Sequence, residues 1–270
     1  MERVQEALDK ARAQRQGVIG SQTEARGDAS NYVGGVSRDD QSELTRISYT
    51  ETQKVDLSDV VLRDNRIIAG FEQDQRVEAY RQLRSQVLRK MGSENWHTLA
   101  ITSPGENAGK TLTAINLAIS LSRDVNQTVL LVDLDLRKPS IHNMLGIDVE
   151  FGIVDYLEDR AKLEDLLFNP GFERLVVLPG TPQGNYASEI LSSPQMHGLM
   201  RELEQRYESR IIIFDLPPLL RNDDALILTP KVDTNLLVVE EGVSTADDIH
   251  KSLHLLEGSH LLGTILNKAV

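Results

Sequence analysis

A segment able to hold phosphate groups follows an apolar run near the middle of the chain. Residues 99–118 read LAITSPGENAGKTLTAINLA, which predicts a strand, a loop of small residues and a helix that begins at Gly109-Lys110-Thr111. In a P-loop, backbone N–H groups and the helix N-terminus hold phosphates, the lysine reaches the β- and γ-phosphates, and the threonine binds Mg²⁺. The strict P-loop pattern has glycine where Pro104 stands. The alternative is an ordinary turn with a surface lysine, and the predicted strand–loop–helix context favours the P-loop. The candidate nucleotide-binding residues of this segment are Ser103, Gly105, Asn107, Ala108, Gly109, Lys110, Thr111 and Leu112.

Two aspartates one residue apart end the next apolar run, VLLVDLDLRKP at residues 129–139. Residues i and i+2 of a strand point the same way, so Asp133 and Asp135 are both expected to face a site at its carboxyl end. Ligands bind at that end of open α/β sheets. Two carboxylates there suit a metal–nucleotide complex, or one suits the metal and one acts as a base. The alternative is a solvated acidic turn.

A third apolar run, RIIIFDLPPLL at residues 210–220, brings Asp215 to another strand end. Pro217 and Pro218 prevent the strand from continuing. An acidic residue in this place holds Mg²⁺ and its water in P-loop enzymes. The alternative is an aspartate that caps a turn, and the three segments together favour the nucleotide site.

The elements that position these residues alternate along the chain. Strand-like runs occupy residues 98–102, 129–132, 175–178, 211–214, 236–239 and 262–266, with helical patterns such as 76–91, 111–122 and 195–205 among them. Continuous apolar strands separated by helices predict a doubly wound α/β fold of the P-loop NTPase type, with a mostly parallel sheet and helices on both faces. The predicted domains are a short helix and flexible linker at residues 1–60 and the P-loop domain at 61–270.

The composition narrows the class of protein. The chain of 270 residues contains no cysteine, which excludes disulfides and thiolate metal sites, and its formal net charge of −12 argues against nucleic acid as a main partner. No apolar run approaches the roughly 18 residues of a membrane helix, and the first residues do not form a secretory signal. The expected location is cytoplasmic.

The three segments together resemble the bacterial tyrosine kinases of capsule and exopolysaccharide synthesis (BY-kinases), whose Walker A, A′ and B motifs have this form. The resemblance covers about residues 76–267 and includes EAYRQLRSQVL, DLRKPSIH, GIVDYL, NYASEILSSPQM and LLGTILN. It implies binding of ATP and Mg²⁺ and transfer of the γ-phosphate to tyrosine hydroxyls. It also implies ring-like homo-oligomers, activation by a membrane polysaccharide co-polymerase, and recruitment by that partner to the inner face of the cell membrane.

The resemblance assigns roles to individual residues. Lys110 and Thr111 would hold phosphate and Mg²⁺, with Asp133 and Asp215 as further metal-binding carboxylates. Asp135, the second residue of the Walker A′ pair, would interact with the incoming tyrosine hydroxyl. The remaining family positions are Arg137, which would contact phosphate or the tyrosine substrate, and Asn267, which would hydrogen-bond adenine.

The ExxRxxR segment of the family is present as Glu78, Arg81 and Arg84, and would contact carboxylates on a neighbouring subunit. The alternative for Glu78 and Arg81 is an exposed pair within one helix. The sequence departs from the family at Glu240, which stands in an arginine position. The family also ends in a tyrosine cluster, whereas the six tyrosines here all precede residue 208.

Two further functions stay open at this point. The first is a nucleotide switch without kinase activity, which would bind ATP and gate a polysaccharide co-polymerase. The second is a partitioning or positioning ATPase, although those enzymes carry a signature lysine five residues before the P-loop lysine, where Gly105 stands. A dinucleotide-dependent enzyme is disfavoured because no GxGxxG follows any predicted strand.

Overall fold

The computed structural model describes residues 52–71, 73–205 and 210–269. The short helix and most of the linker predicted for the first 60 residues therefore lie outside the described residues. So do Tyr32, Tyr49 and Tyr207. No helix of the described part is long and apolar enough to cross a membrane.

A single eight-stranded sheet forms the centre of the described part, with the strands in the order β1-β4-β5-β3-β6-β2-β7-β8. Neighbouring strands are parallel except β4 and β5, which are antiparallel. The strands are β1 (Gln53–Lys54), β2 (Thr98–Thr102), β3 (Thr128–Asp133), β4 (Phe168–Asn169), β5 (Leu175–Leu178), β6 (Arg210–Asp215), β7 (Thr234–Glu240) and β8 (Leu261–Asn267).

Helices connect the strands, and the longest two follow β1 and β2. They are α1 (Asp59–Asp64), α2 (Val77–Glu94), α3 (Lys110–Ser122), α4 (Ile141–Leu145), α5 (Ile153–Leu157), α6 (Leu163–Leu166), α7 (Ala187–Leu191), α8 (Pro194–Gln205), α9 (Asp224–Leu228) and α10 (Ala246–Leu255). Short 3₁₀ turns at Gly184–Tyr186 and Thr229–Lys231 precede α7 and follow α9.

The core lies in two layers, one on each face of the sheet. Alternate residues of β3 belong to different layers: Leu130 and Val132 pack with the apolar stripe of α8, whereas Val129 and Leu131 pack with α3. Both faces of the central strands are buried, which is why these strands are apolar at nearly every position. The doubly wound, mostly parallel fold that the sequence predicts is confirmed.

The sheet also includes residues that the sequence placed in the linker. Gln53–Lys54 pair with Phe168–Asn169, and α1 begins at Asp59, so the ordered domain starts before residue 61. The predicted domain boundary at residue 61 is therefore too late, because residues 53–54 already pair in the sheet. Strands of two residues are too short to show an alternating pattern, and β1 and β4 were both missed for this reason.

Candidate functional site

The P-loop connects β2 to α3 at the carboxyl edge of the sheet, and β2 lies between β6 and β7. Its backbone takes left-handed conformations at Asn107 (φ 62°) and Gly109 (φ 92°). Gly109 is required for two reasons, because a Cβ there would be strained at that φ and would collide with the Asn267 side chain. The loop therefore has the strand–loop–helix form that the sequence predicts.

The P-loop lysine sits among carboxylates from two other strands. Its Nζ lies 2.9 Å from an oxygen of Asp135, which follows β3, and 3.5 Å from Asp215 at the end of β6. The Lys110 side chain is 11% exposed and those of Asp135 and Asp215 are 7% and 0% exposed. Because β3, β6 and β2 are neighbours in a parallel sheet, residues distant in sequence meet at one edge.

The hydroxyl of Thr111 points to the same carboxylate cluster. Thr111 Oγ1 donates a hydrogen bond of 2.6 Å to Asp215 Oδ2, and Lys110 Nζ donates to Thr111 Oγ1 at 3.1 Å. A hydroxyl and a carboxylate so close together are hard oxygen donors of the kind that Mg²⁺ takes, with phosphate and water completing its shell. The donor set present here therefore fits Mg²⁺.

Asp133 is held differently from the other two aspartates. Its Oδ2 accepts hydrogen bonds from the backbone N–H groups of Ser140 (2.9 Å) and Ile141 (3.0 Å), at the start of α4. These bonds fix the segment that follows β3 against the strand itself. The predicted catalytic and metal-binding role of Asp133 stays a prediction, and in this arrangement the residue positions the segment that carries Asp135.

Burial is the largest single influence on the pKa of each of Asp133, Asp215 and Lys110. Burial and the neighbouring Asp215 carboxylate raise the pKa of Asp133 to about 7. Burial also raises the pKa of Asp215, although Lys110 and Thr111 act in the opposite direction. For Lys110, burial opposes the charged form, but Asp215 and Asp135 outweigh it and raise the pKa of the amine to about 12. The lysine therefore stays cationic at neutral pH.

A cavity of about 520 Å³ opens over this cluster. The sequence predicted several of its lining residues in the P-loop and in the Walker A′ segment. It did not predict the lining residues of the segment after β6, which the Pro217-Pro218 pair could have indicated. Its walls are Glu106, Asn107, Gly109, Lys110, Thr111, Leu112, Asp135, Arg137, Lys138, Ser140, Met144, Pro217, Pro218, Arg221, Asn222 and Lys268. Lys138 and Glu106 form an ion pair of 3.0 Å between the Walker A′ segment and the P-loop.

Two predicted nucleotide contacts make other contacts in the structure. Arg137 lines the cavity, yet its guanidinium pairs with Asp224, through Nη2 at 3.0 Å and through Nε. Asn267 donates from Nδ2 to the carbonyl of Ala108 at 2.8 Å and so holds the P-loop. Neither partner was visible in the sequence, because side-chain pairing over 87 and 159 residues depends on the packing of the whole sheet.

Two further positions that the sequence singled out, Ser103 and Glu240, make local contacts at the site. Ser103 Oγ donates to the carbonyl of Gly105 at 2.7 Å, and the Ser103 carbonyl accepts from Leu219 N–H at 2.8 Å, which ties the P-loop to the segment after β6. Glu240, the departure from the family, pairs with Lys268 at 2.8 Å. Where the family has an arginine, this chain therefore has a glutamate in an ion pair, and the Lys268 of that pair lines the cavity.

The ExxRxxR segment lies on α2, away from the cavity. Arg81 makes an exposed ion pair of 3.6 Å with Glu78, which is the intrahelical pair that the sequence offered as the alternative. Arg84 Nη1 donates to the carbonyl of Ser120 at 3.1 Å, in the last turn of α3. Within one chain Arg84 therefore stabilises the helix that carries the P-loop, while the predicted contact with a second subunit stays a prediction.

Fold and loop geometry define a P-loop nucleotide-binding domain. Residues 99–270 match the CobQ/CobB/MinD/ParA nucleotide binding domain. The chain is 32% identical over 192 residues to tyrosine-protein kinase YwqD of Bacillus subtilis. The aligned residues cover 70% of this chain and 80% of YwqD. The chain belongs to the CobQ/CobB/MinD/ParA nucleotide-binding family and, within it, to the bacterial tyrosine kinases.

Etk of Escherichia coli extends the comparison. Tyrosine-protein kinase etk of strain K12 is 31% identical over 199 residues, which are 73% of this chain and 27% of Etk, so this chain spans about a quarter of that relative. The solved kinase domain of Etk superposes with a TM-score of 0.70 at 28% identity, over 81% of this chain and 89% of that one. The septum site-determining protein MinD of Pyrococcus horikoshii, solved with Mg-ADP, reaches a TM-score of 0.53 at 28% identity, over 63% and 69%.

Proposed function

We propose that this protein is an ATP-dependent protein-tyrosine kinase that regulates the polymerisation and export of capsule or exopolysaccharide. The observation that carries this proposal is the placement of Asp135 beside the P-loop lysine, on the wall of the cavity. A carboxylate there can serve an acceptor hydroxyl while a different carboxylate, Asp215, serves the metal. The similarity to the tyrosine-protein kinases YwqD and Etk supports the same function.

The nucleotide side of the site uses residues of the P-loop and of β6. Backbone N–H groups of the loop and the start of α3 would hold the phosphates, and Lys110 would move from its carboxylate partners to phosphate oxygens. Thr111 and Asp215 would hold Mg²⁺, which neutralises charge on the phosphates when it is bound. These residues would bind and orient the nucleotide.

The acceptor side of the site is the Walker A′ segment. Asp135 is nearly buried yet lines the cavity, and the Lys110 ammonium is its charged partner. Once phosphate engages that ammonium, the Asp135 carboxylate is available to accept the hydrogen bond of a tyrosine hydroxyl. Asp135 thereby orients the hydroxyl for attack and can take its proton.

The partner we propose is a membrane polysaccharide co-polymerase, which would bring this protein to the inner face of the cell membrane and activate it. A ring-like homo-oligomer would form through contacts between the ExxRxxR segment of one subunit and carboxylates of the next. Both proposals rest on the family resemblance of the ExxRxxR segment and of the Walker motifs.

The direct test is phosphotyrosine mass spectrometry on the full chain after incubation with Mg-ATP and the cytoplasmic tail of the co-polymerase. Lys110→Met is the inactive variant, because it removes the cation that faces both the carboxylates and the phosphates. Lys251→Met is the matched control, since Lys251 is an exposed lysine that pairs with Asp247 on α10. We expect phosphotyrosine with the wild type and the control, and none with Lys110→Met.

Hydrolysis of ATP without phosphotyrosine on either protein would contradict the kinase. That result would favour the nucleotide switch, which shares the P-loop but needs no acceptor hydroxyl.

A further inference from the structure

We propose that Asp224, together with Ser188, is a positioning residue for phosphate transfer, and that it acts by holding Arg137 of the Walker A′ segment. The inference rests on the proposed kinase function and adds two residues to its site. It also gives Arg137 a different role from the phosphate contact predicted by resemblance.

The side chains of Arg137, Asp224 and Ser188 contact one another beside the cavity, and the Ser188 hydroxyl also lies 3.1 Å from Asp223 Oδ1. Arg137 donates from Nε to Asp224 Oδ2 and from Nη2 to Asp224 Oδ1 at 3.0 Å, a two-point pairing. Arg137 Nη2 also lies 3.2 Å from Ser188 Oγ, and the Ser188 hydroxyl donates to Asp224. Two of the three guanidinium nitrogens are therefore engaged by residues of α7 and α9.

The burial of Asp224 shows why this pairing is fixed. Its side chain is 1% exposed, whereas that of Arg137 is 29% exposed and lines the cavity. A carboxylate removed from water needs a paired cation or hydrogen-bond donors, and Arg137 and Ser188 supply both. Asp224 thus acts as a buried anchor, and Arg137 carries its effect to the cavity wall.

Arg137 transmits this anchoring to Asp135 through a tight turn. The backbone N–H of Lys138 donates to the carbonyl of Asp135 at 3.0 Å and to its Oδ1 at 3.1 Å. A displacement of Arg137 would therefore move the carboxylate that faces Lys110. We infer that the pair fixes the acceptor side of the site and contributes little to nucleotide affinity.

The pair also joins the two carboxylate-bearing segments of the site. Asp224 begins α9, in the segment that leaves β6 after Asp215, while Arg137 lies in the segment that leaves β3 after Asp133. Each segment contributes one aspartate near Lys110. The Arg137–Asp224 pair is a direct contact between these two segments.

The test separates the rate of transfer from the binding of nucleotide. Transfer from Mg-ATP to a synthetic glutamate–tyrosine copolymer gives kcat and KM for the full chain, and a fluorescent ATP analogue gives its Kd. For Asp224→Asn we expect kcat to fall about 10- to 100-fold, as small misplacements of a catalytic group do, with the Kd changed by less than about twofold. The control is Asp247→Asn, an exposed first-turn aspartate of α10, which should match the wild type.

A double variant tests whether the two residues act as a unit. Arg137→Met combined with Asp224→Asn should lower kcat no more than the worse single variant. If Asp224→Asn fails to fold, Ser188→Ala replaces it, with an expected loss of about 3- to 10-fold in kcat and an unchanged Kd.

Several results would overturn the inference. A weaker Kd at unchanged kcat would make Arg137 a phosphate ligand, and wild-type kcat in Asp224→Asn or in Ser188→Ala would remove the positioning role. Both results are distinct from failure of the proposed function, in which the wild type itself transfers no phosphate to tyrosine.

Discussion

The aspartates near Lys110 are chemically identical, but they differ in what surrounds them. Asp133 is tied to backbone N–H groups, Asp215 to the Thr111 hydroxyl, and Asp135 to the lysine ammonium at the cavity wall. The sequence predicted that these residues meet, because strand ends of a parallel sheet share one edge. The residue pattern alone did not divide their roles, which only the family resemblance assigned, because hydrogen-bond partners depend on the path of each segment after its strand.

The raised pKa of Asp133 has a consequence for stability. In an unfolded chain this carboxyl titrates near pH 4, and in the fold its pKa is about 7. Between these values the folded state binds more protons, so the group makes the free energy of unfolding fall as pH rises, by at most about 1.4 kcal/mol per pH unit. We expect Asp133→Asn to remove this contribution, because asparagine does not ionise.

The measurement is urea unfolding of the wild type and Asp133→Asn between pH 4 and pH 8. The variant should gain stability relative to the wild type as pH rises through this range. A constant difference between the two proteins would show that Asp133 keeps an ordinary pKa.

Asn267 gives a second prediction for a single residue. Removing its hydrogen bond to Ala108 in Asn267→Ala should loosen the P-loop and weaken nucleotide affinity about 10-fold, equivalent to about 1.4 kcal/mol. Affinities for ATP and for inorganic triphosphate should fall by the same factor, because the loop holds phosphates in both. Thr264→Ala, an exposed position of the same strand, is the control.

Calorimetric titration of both ligands separates this role from an adenine contact. A loss confined to ATP would support the contact with adenine that the family resemblance implies, and would contradict the loop-holding role.

At the level of elements, one buried asparagine connects the P-loop helix α3 to the chain between α1 and α2. Asn116 Oδ1 accepts from the N–H groups of Ile68 (2.8 Å) and Ala69 (2.9 Å), and its Nδ2 donates to Arg66 and Leu112 carbonyls. These bonds fasten the segment between α1 and α2 onto the P-loop helix. Nothing in the sequence marks Asn116, since a polar residue in a helix is ordinarily exposed.

Asn116→Ala should therefore cost about 2–4 kcal/mol of the free energy of unfolding, because two buried N–H groups lose their acceptor. Denaturant unfolding measures this cost. Asn143→Ala, at an exposed position of α4, is the control and should change stability by less than about 0.5 kcal/mol. An equal effect of the two substitutions would contradict the structural role of Asn116.

The sequence predicted the long elements well because their apolar periodicity covers several turns or a whole buried strand. It missed β1 and β4, whose two residues each are placed by pairing with one another. It also placed the domain boundary too late, because β1 and the four residues before α1 are too short to show a periodic pattern, although Val55 and Leu57 pack on the core.

For the whole molecule, the two arginines of the ExxRxxR segment are expected to affect different properties, Arg81 the assembly of subunits and Arg84 the stability of one chain. Arg84 bonds to α3 of its own chain, whereas Arg81 is 43% exposed beside Glu78. We expect Arg81→Ala to lower the mass of the proposed homo-oligomer in sedimentation velocity at an unchanged Tm, and Arg84→Ala to lower the Tm. An unaltered sedimentation profile for Arg81→Ala would leave that residue as part of an exposed intrahelical pair.

The central claim is that Lys110, Asp135 and Asp215 form a site that transfers phosphate to tyrosine. The most direct measurement is transfer from radiolabelled Mg-ATP to a glutamate–tyrosine copolymer by the wild type and by Asp135→Asn, with the Kd for ATP measured on both. The proposed mechanism predicts labelled tyrosine with the wild type and a loss of about 100-fold or more in Asp135→Asn at a similar Kd. Undiminished transfer by Asp135→Asn, or no labelled tyrosine with the wild type, would contradict it.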